Sequence, residues 1–140
     1  MLLFDDRTVG GWSRQEFADR LTALAQEHIY LGTSSWKYEG WLGQIYTQER
    51  YQVRGRFSIK KFEQTCLAEY AETFPVVGGD FSFYQFPTAD YWRSLFYSAP
   101  EPLKFALKVP EEITVRTWPR HARYGPRAGA GNCRSRKVNL

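Results

Sequence analysis

Apolar residues recur at spacings of three and four in two long stretches of the chain. Phe17, Leu21 and Leu24 line one face and predict a helix over residues 13–27, opened by Ser13 and Glu16 as an S-x-x-E capping box. Ile59, Phe62, Cys66, Tyr70 and Phe74 form a second stripe and predict a helix from about Ser58 to Phe74. Between these lies a short strand, Ile29-Tyr30-Leu31-Gly32, ending in Thr33-Ser34-Ser35-Trp36. Pro75 and Gly78-Gly79 break the second helical pattern, and Asp80 to Phe86 then alternates as a strand does. Thr88 is placed to cap a third helix over residues 89–98, with Trp92, Leu95 and Phe96 on its buried side, and Pro100 and Pro102 stop it. Lys104-Phe105-Ala106-Leu107-Lys108-Val109 is the last clear strand.

Strand, helix, strand, helix, strand predicts a parallel sheet joined by right-handed crossovers. Two α/β architectures share that order. A doubly wound nucleotide-binding domain wants a glycine-rich turn after its first strand, and Gly32-Thr33-Ser34-Ser35-Trp36 is neither G-x-G-x-x-G nor a phosphate loop. A TIM-type (β/α) barrel needs no such turn but takes about 250 residues, against 140 here.

The charge is less informative than its total suggests. The net is +4, yet residues 1–113 hold 12 Lys and Arg against all 15 Asp and Glu. The last 27 residues hold Arg116, Arg120, Arg123, Arg127, Arg134, Arg136 and Lys137 and no acid, so the basicity belongs to the end of the chain. Aromatic residues make up 17%, enough that some are expected to line a cleft or partner surface as well as a core. Cys66 and Cys133 have no metal-ligand spacing, and Cys66 reads as a small buried hydrophobe. Leu2-Leu3-Phe4 runs straight into Asp5-Asp6, unlike a secretory leader, and no apolar run is long enough to span a bilayer. A cytoplasmic protein without membrane association is the expectation.

Four blocks in order carry a family resemblance. Leu31-Gly32-Thr33-Ser34-Ser35-Trp36, followed by Tyr38, Trp41 and Tyr46, is similar to a strand ending in G-T-S-x-W with an aromatic loop after it. Asp80-Phe81-Ser82-Phe83-Tyr84 with Pro87 is similar to N-S-T-F-Y-x-x-P, and Phe105 to Pro110 to F-A-x-K-x-P. Ile113-Thr114 falls where I-T-H is expected. Together they resemble the N-terminal half of the YecE-like family (domain of unknown function 72). The resemblance implies a TIM-type (β/α) barrel, here incomplete and limited to the first three βα units, preceded by an N-terminal helix. This sequence has Gly78 where many members carry Glu, Asp80 where they carry Asn and Val115 where they carry His. The domain reading is an N-terminal extension over residues 1–28, a partial barrel domain over 29–131 and an out-of-family tail over 132–140. That tail suggests a truncated or frame-shifted, nonfunctional product as one alternative, and such a product is expected to self-associate through unpaired strand edges.

Barrel-strand parity gives the candidate chemistry. Alternate side chains face the lumen and the outer helices. Phe105, Leu107 and Val109 then pack under helices, while Ala106 and Lys108 point inward. The same parity turns Asp80, Ser82 and Tyr84 inward from their strand, and Tyr30, Gly32 and Ser34 from the first. Barrel active sites lie at the C-terminal strand ends. Lys108 is therefore the candidate anchor for an anionic substrate or a desolvated nucleophile, Asp80 a general base or acid, and Tyr84 and Ser34 orienting groups. The competing reading is a lumen ion pair between Lys108 and Asp80 that serves only neutralisation.

The long connection from Thr33 to about Phe57 carries Trp36, Tyr38 and Trp41 as substrate-stacking candidates, or as the hydrophobic cluster of a lid. Residues 116–127 interleave basic and aromatic groups, with Arg120 and His121 as binding candidates, and a nucleic-acid-binding protein is the alternative function. His28 and His121 are the two histidines, and neither has the partners of a metal site. No cofactor is implied. The leading expectation is an enzyme-like barrel holding a small anionic ligand.

Overall fold

The computed structural model describes residues 11–84 and 86–132, with the backbone alone at Tyr84. The first helix, α1 (Arg14–Gln26), begins as its capping box requires: Ser13 Oγ accepts the N–H of Glu16. The second, α2 (Ile59–Ala71), is capped in the same way by Ser58 on Lys61. The third long helix, α4 (Ala89–Ser98), has the extent that its pattern predicts. A three-stranded sheet in the order β1 (Gly32–Thr33), β4 (Val76–Gly79), β5 (Lys104–Leu107) accompanies them, with β1 parallel to β4. A two-residue-per-strand hairpin, β2 (Gln52–Val53) with β3 (Arg56–Phe57), sits in the long connection after β1. The result is a mixed α/β structure with a small sheet. Among the described residues no barrel closes.

The chain divides into two units, Met1–Gly79 with Ala89–Ala106, and Asp80–Thr88 with Leu107–Leu140. The first unit is built around α2. Phe62, Cys66, Leu67 and Tyr70 from that helix are buried with Tyr46 and Tyr51 of the long connection. The rings of Tyr46, Tyr51 and Phe62 meet edge to face at 4.9–6.1 Å, and Tyr70 stacks on Phe74 at 4.7 Å. Tyr70 also ties the helix to the sheet: its hydroxyl donates to the Val76 carbonyl and accepts the Thr33 N–H, each at 3.0 Å. α1 joins this unit through Phe17 on Phe74 and through Arg14, which reaches Thr73, Glu69 of α2 and Glu72 just past its end.

Three strand expectations are corrected. The first strand lies at Gly32–Thr33, at the end of the expected 29–32 segment. The second occupies Val76–Gly79, so the glycines lie within the strand, and Asp80–Tyr84 is not a strand. Instead Phe81–Tyr84 forms the short helix α3, whose first turn closes with the Phe83 N–H on the Asp80 carbonyl. The glycines belong in the strand because the neighbouring backbone is close: a Cβ on Gly78 would lie 3.3 Å from Ser34 Cα and Thr33 O. Strand parity therefore does not govern Asp80, Ser82 and Tyr84. The last strand ends at Leu107, so Val109 is exposed rather than packed under a helix, whereas Phe105 meets Phe96 of α4 edge to face at 5.3 Å.

The second unit contains α3, the one-turn helix α5 (Glu111–Thr114) and a 3-10 segment over Ala122–Arg127. Residues 116–118 return against 129–132 by antiparallel hydrogen bonds, including Trp118 N–H to Ala130 O and Asn132 N–H to Arg116 O. Asn132, at the head of the expected tail, is buried and donates through Nδ2 to the carbonyls of Glu112 and Val115, both at 2.8 Å. Cys133 and the remainder of that tail lie outside the described residues, as does the Leu2–Asp6 segment. Among the described residues no helix is long and apolar enough to cross a membrane.

Candidate functional site

Asp80 and Lys108 are the first residues after β4 and β5, which are neighbours in the sheet. Their side chains meet: Lys108 Nζ lies 3.2 Å from Asp80 Oδ2, and the two remain 56% and 55% exposed. Ser82 ties the backbone of Lys108, donating its hydroxyl to the Lys108 carbonyl at 2.9 Å while itself fully buried. The Lys108 ammonium also lies 5.6 Å from the centre of the Phe83 ring. An ion pair this open contributes little to stability, since water screens it and two long side chains must be held. It leaves the ammonium accessible to a competing anion. The Tyr84 side chain lies outside what is described.

Phe83 is also a wall of a cavity of about 330 Å³ within the same unit, whose lining includes Phe86, Glu111, Trp118, Tyr124 and Arg127. Glu111 is only 7% exposed and is held by Arg123 Nη2 at 2.6 Å and by the Tyr124 hydroxyl at 2.8 Å. Arg127 pairs with Glu112 at 3.7 Å and lies over the Trp118 ring at 5.4 Å. His121 caps the 3-10 segment, its Nδ1 accepting the Arg123 N–H at 3.2 Å, and it is exposed. Arg120 is exposed, with its stem against Gly129.

Ser34, Trp36, Tyr38 and Trp41 belong to the first unit. Ser34 is exposed just past β1. Trp36 is 6% exposed, and its carbonyl accepts the Tyr46 hydroxyl. Trp41 is half-buried, stacked over Tyr46 at 6.3 Å and tilted over Phe74 at 6.2 Å. Tyr38, 55% exposed, meets Trp41 edge to face at 5.1 Å and is the one ring of the three that stands open. Trp36 and Trp41 are thus part of a packed aromatic cluster. The Cys66 thiol is fully buried, and burial pushes it up to about 11, so it stays protonated at neutral pH and is not a nucleophile.

The first unit also holds a buried carboxylate that the sequence pattern did not single out. Glu69, 2% exposed, accepts from Thr47 N–H at 2.9 Å, Thr47 Oγ1 at 2.6 Å, the Tyr51 hydroxyl at 2.5 Å and Arg14 Nη1 at 3.3 Å. Burial, then the hydrogen bond and negative charge of Glu69, hold the Tyr51 hydroxyl far above its usual range. Glu72, one turn on, takes Arg14 at 2.7 Å and Arg50 at 2.6 Å. So many donors on one carboxylate describe a joint between α1, α2 and the long connection rather than a reactive group. Its one sequence signal was a charge within the apolar stripe Phe62, Cys66, Tyr70.

Glu72 gives this joint a pH dependence. Burial alone would raise its carboxyl, but the hydrogen bonds and charges of Arg50 and Arg14 outweigh it and hold the group below its usual 4.5. A depressed folded-state value means that ionised Glu72 stabilises the fold, fully above pH 4.5 and progressively less as pH falls through the lower folded value. The stability difference between wild type and Glu72→Gln is expected to be greatest near neutrality and to vanish in acid. Urea midpoints between pH 2 and 7 check this, and a constant difference across that range contradicts it.

Fold and site together define an α/β chain with a charged pair at adjacent strand ends. A family model described as "Protein of unknown function DUF72" matches residues 30–127, and the chain belongs to that family. Neither the curated proteins nor the solved structures contain a match to the chain.

Proposed function

We propose that the three-stranded sheet is a segment of a (β/α) barrel, and that a small anionic ligand binds at the C-terminal ends of its strands with Lys108 as the electrostatic anchor. Asp80 neutralises Lys108 until a ligand competes for it, and is the carboxylate positioned to exchange a proton with a bound ligand. The observation that carries this reading is the open Asp80–Lys108 pair directly after two adjacent strands, the position at which barrel proteins hold their ligands. The nucleic-acid alternative has weaker support, because Arg123 and Arg127 of residues 116–127 are engaged by Glu111 and Glu112.

Inorganic phosphate is the simplest probe. Calorimetric titration is expected to show Lys108→Ala binding it about fivefold more weakly than wild type, the worth of one exposed charge contact. Asp80→Asn removes the competing carboxylate and is expected to bind it more tightly. Both substitutions are on an exposed pair and leave the melting temperature within a degree or two of wild type. Equal phosphate affinity in all three proteins would falsify the assignment. A shared loss of stability, with no change in affinity, would make the pair purely structural.

A further inference from the structure

The cavity beside Phe83 is lined by neither Lys108 nor Asp80, yet its lining is specific. Its volume, about 330 Å³, lies at the lower end of the roughly 300–1,000 Å³ of small-molecule sites. Phe83, Phe86, Trp118 and Tyr124 give it aromatic walls. Its charges balance, Glu111 and Glu112 against Arg123 and Arg127, so a simple ion of either sign gains no net attraction from the set. Both guanidinium groups already cover rings, Arg123 at 4.5 Å from the centre of Tyr124 and Arg127 at 5.4 Å from that of Trp118. Flat rings extended by flat guanidinium groups favour a planar guest.

Glu111 supplies direction. Its two hydrogen bonds, from Arg123 and Tyr124, both end on Oε1. Among the described residues none donates to Oε2, and no buried polar side-chain atom lacks a partner, so Oε2 faces open space in a residue otherwise buried. A fixed carboxylate oxygen at the wall of an aromatic cavity selects a guest with an N–H donor on its edge. We infer that this cavity binds a planar heteroaromatic ligand that carries an N–H donor on its edge, its ring among the aromatic side chains and its N–H turned to Glu111. The flat face gives affinity, and the carboxylate gives discrimination, because a base without an N–H donor leaves the carboxylate desolvated and unpaired.

Adenosine and its 6-deamino analogue nebularine test this with the whole chain. They share a purine ring and a ribose, and only adenosine carries an N–H donor on its base. Calorimetry is expected to show adenosine binding about tenfold more tightly than nebularine, with that preference lost in Glu111→Gln. Because Glu111→Gln also disturbs Arg123 and Tyr124, Phe86→Ala is the companion variant. Its ring is exposed, so it is expected to weaken both nucleosides several-fold without moving the melting temperature. Absence of saturable adenosine binding to wild type overturns the inference, as does equal affinity for the two nucleosides. Adenosine is uncharged, so this result stands apart from that of the phosphate titration, which addresses Lys108.

Discussion

Substituting Gly32 by alanine is expected to destabilise the chain by about 3 kcal/mol or more, at the upper end of what overpacking a rigid site costs. β1 and β4 pair in parallel with Gly32 opposite Val76, and a Cβ on Gly32 would stand 1.8 Å from the Val76 carbonyl oxygen. That obstacle is backbone, itself fixed by the Tyr70 hydroxyl, so no rotamer change relieves it. The strands must separate or β1 must detach. Gly43→Ala provides the control: its φ is +81°, but its added Cβ meets nothing within 4 Å, so only backbone strain of about 1 kcal/mol is expected. Urea unfolding of the two variants checks the contrast, and a Gly32→Ala protein as stable as Gly43→Ala would refute the close approach.

The second large effect is expected at Glu69. Truncation to alanine leaves the Thr47 N–H, the Thr47 and Tyr51 hydroxyls and part of Arg14 without their acceptor, in a place almost closed to water. Breaking a buried pair in this way costs about 3–5 kcal/mol, most of it the penalty of the stranded partners. Glu72→Ala, on the exposed side of the same arginines, is expected to cost no more than about 1 kcal/mol. Denaturant midpoints at neutral pH measure both, and similar losses for the two variants would show that Glu69 is not the joint described here.

The helices were legible because each carried its own local signals. Ser13 and Ser58 cap where a hydroxyl before an apolar stripe should, and the periodic faces led to the right extents. The strands were harder to read. β1 and β4 are two and four residues long, and β4 holds two glycines, which in isolation read as punctuation. Only the nearby backbone of Thr33 and Ser34 shows why glycine stands in the strand, and that proximity is a tertiary fact. The Asp80–Phe86 alternation misled for the same reason: a four-residue helix is too short to develop a period of its own. Within the candidate site, Asp80 and Lys108 were found through a parity argument that fails for Asp80, yet they do meet because both follow adjacent strands. Glu111 and Tyr124 were missed, since thirteen residues separate them and no short motif joins them.

The central claim, that an anion is held at the strand ends by Lys108, is tested most directly by a nuclear magnetic resonance titration of the labelled chain with inorganic phosphate. Saturable shifts centred on the backbone amides of Asp80 and Lys108 are expected, with the Lys108 ammonium moving away from its Asp80 partner. Shifts confined to Arg116 and Arg120, or no saturable shift at all, would contradict it.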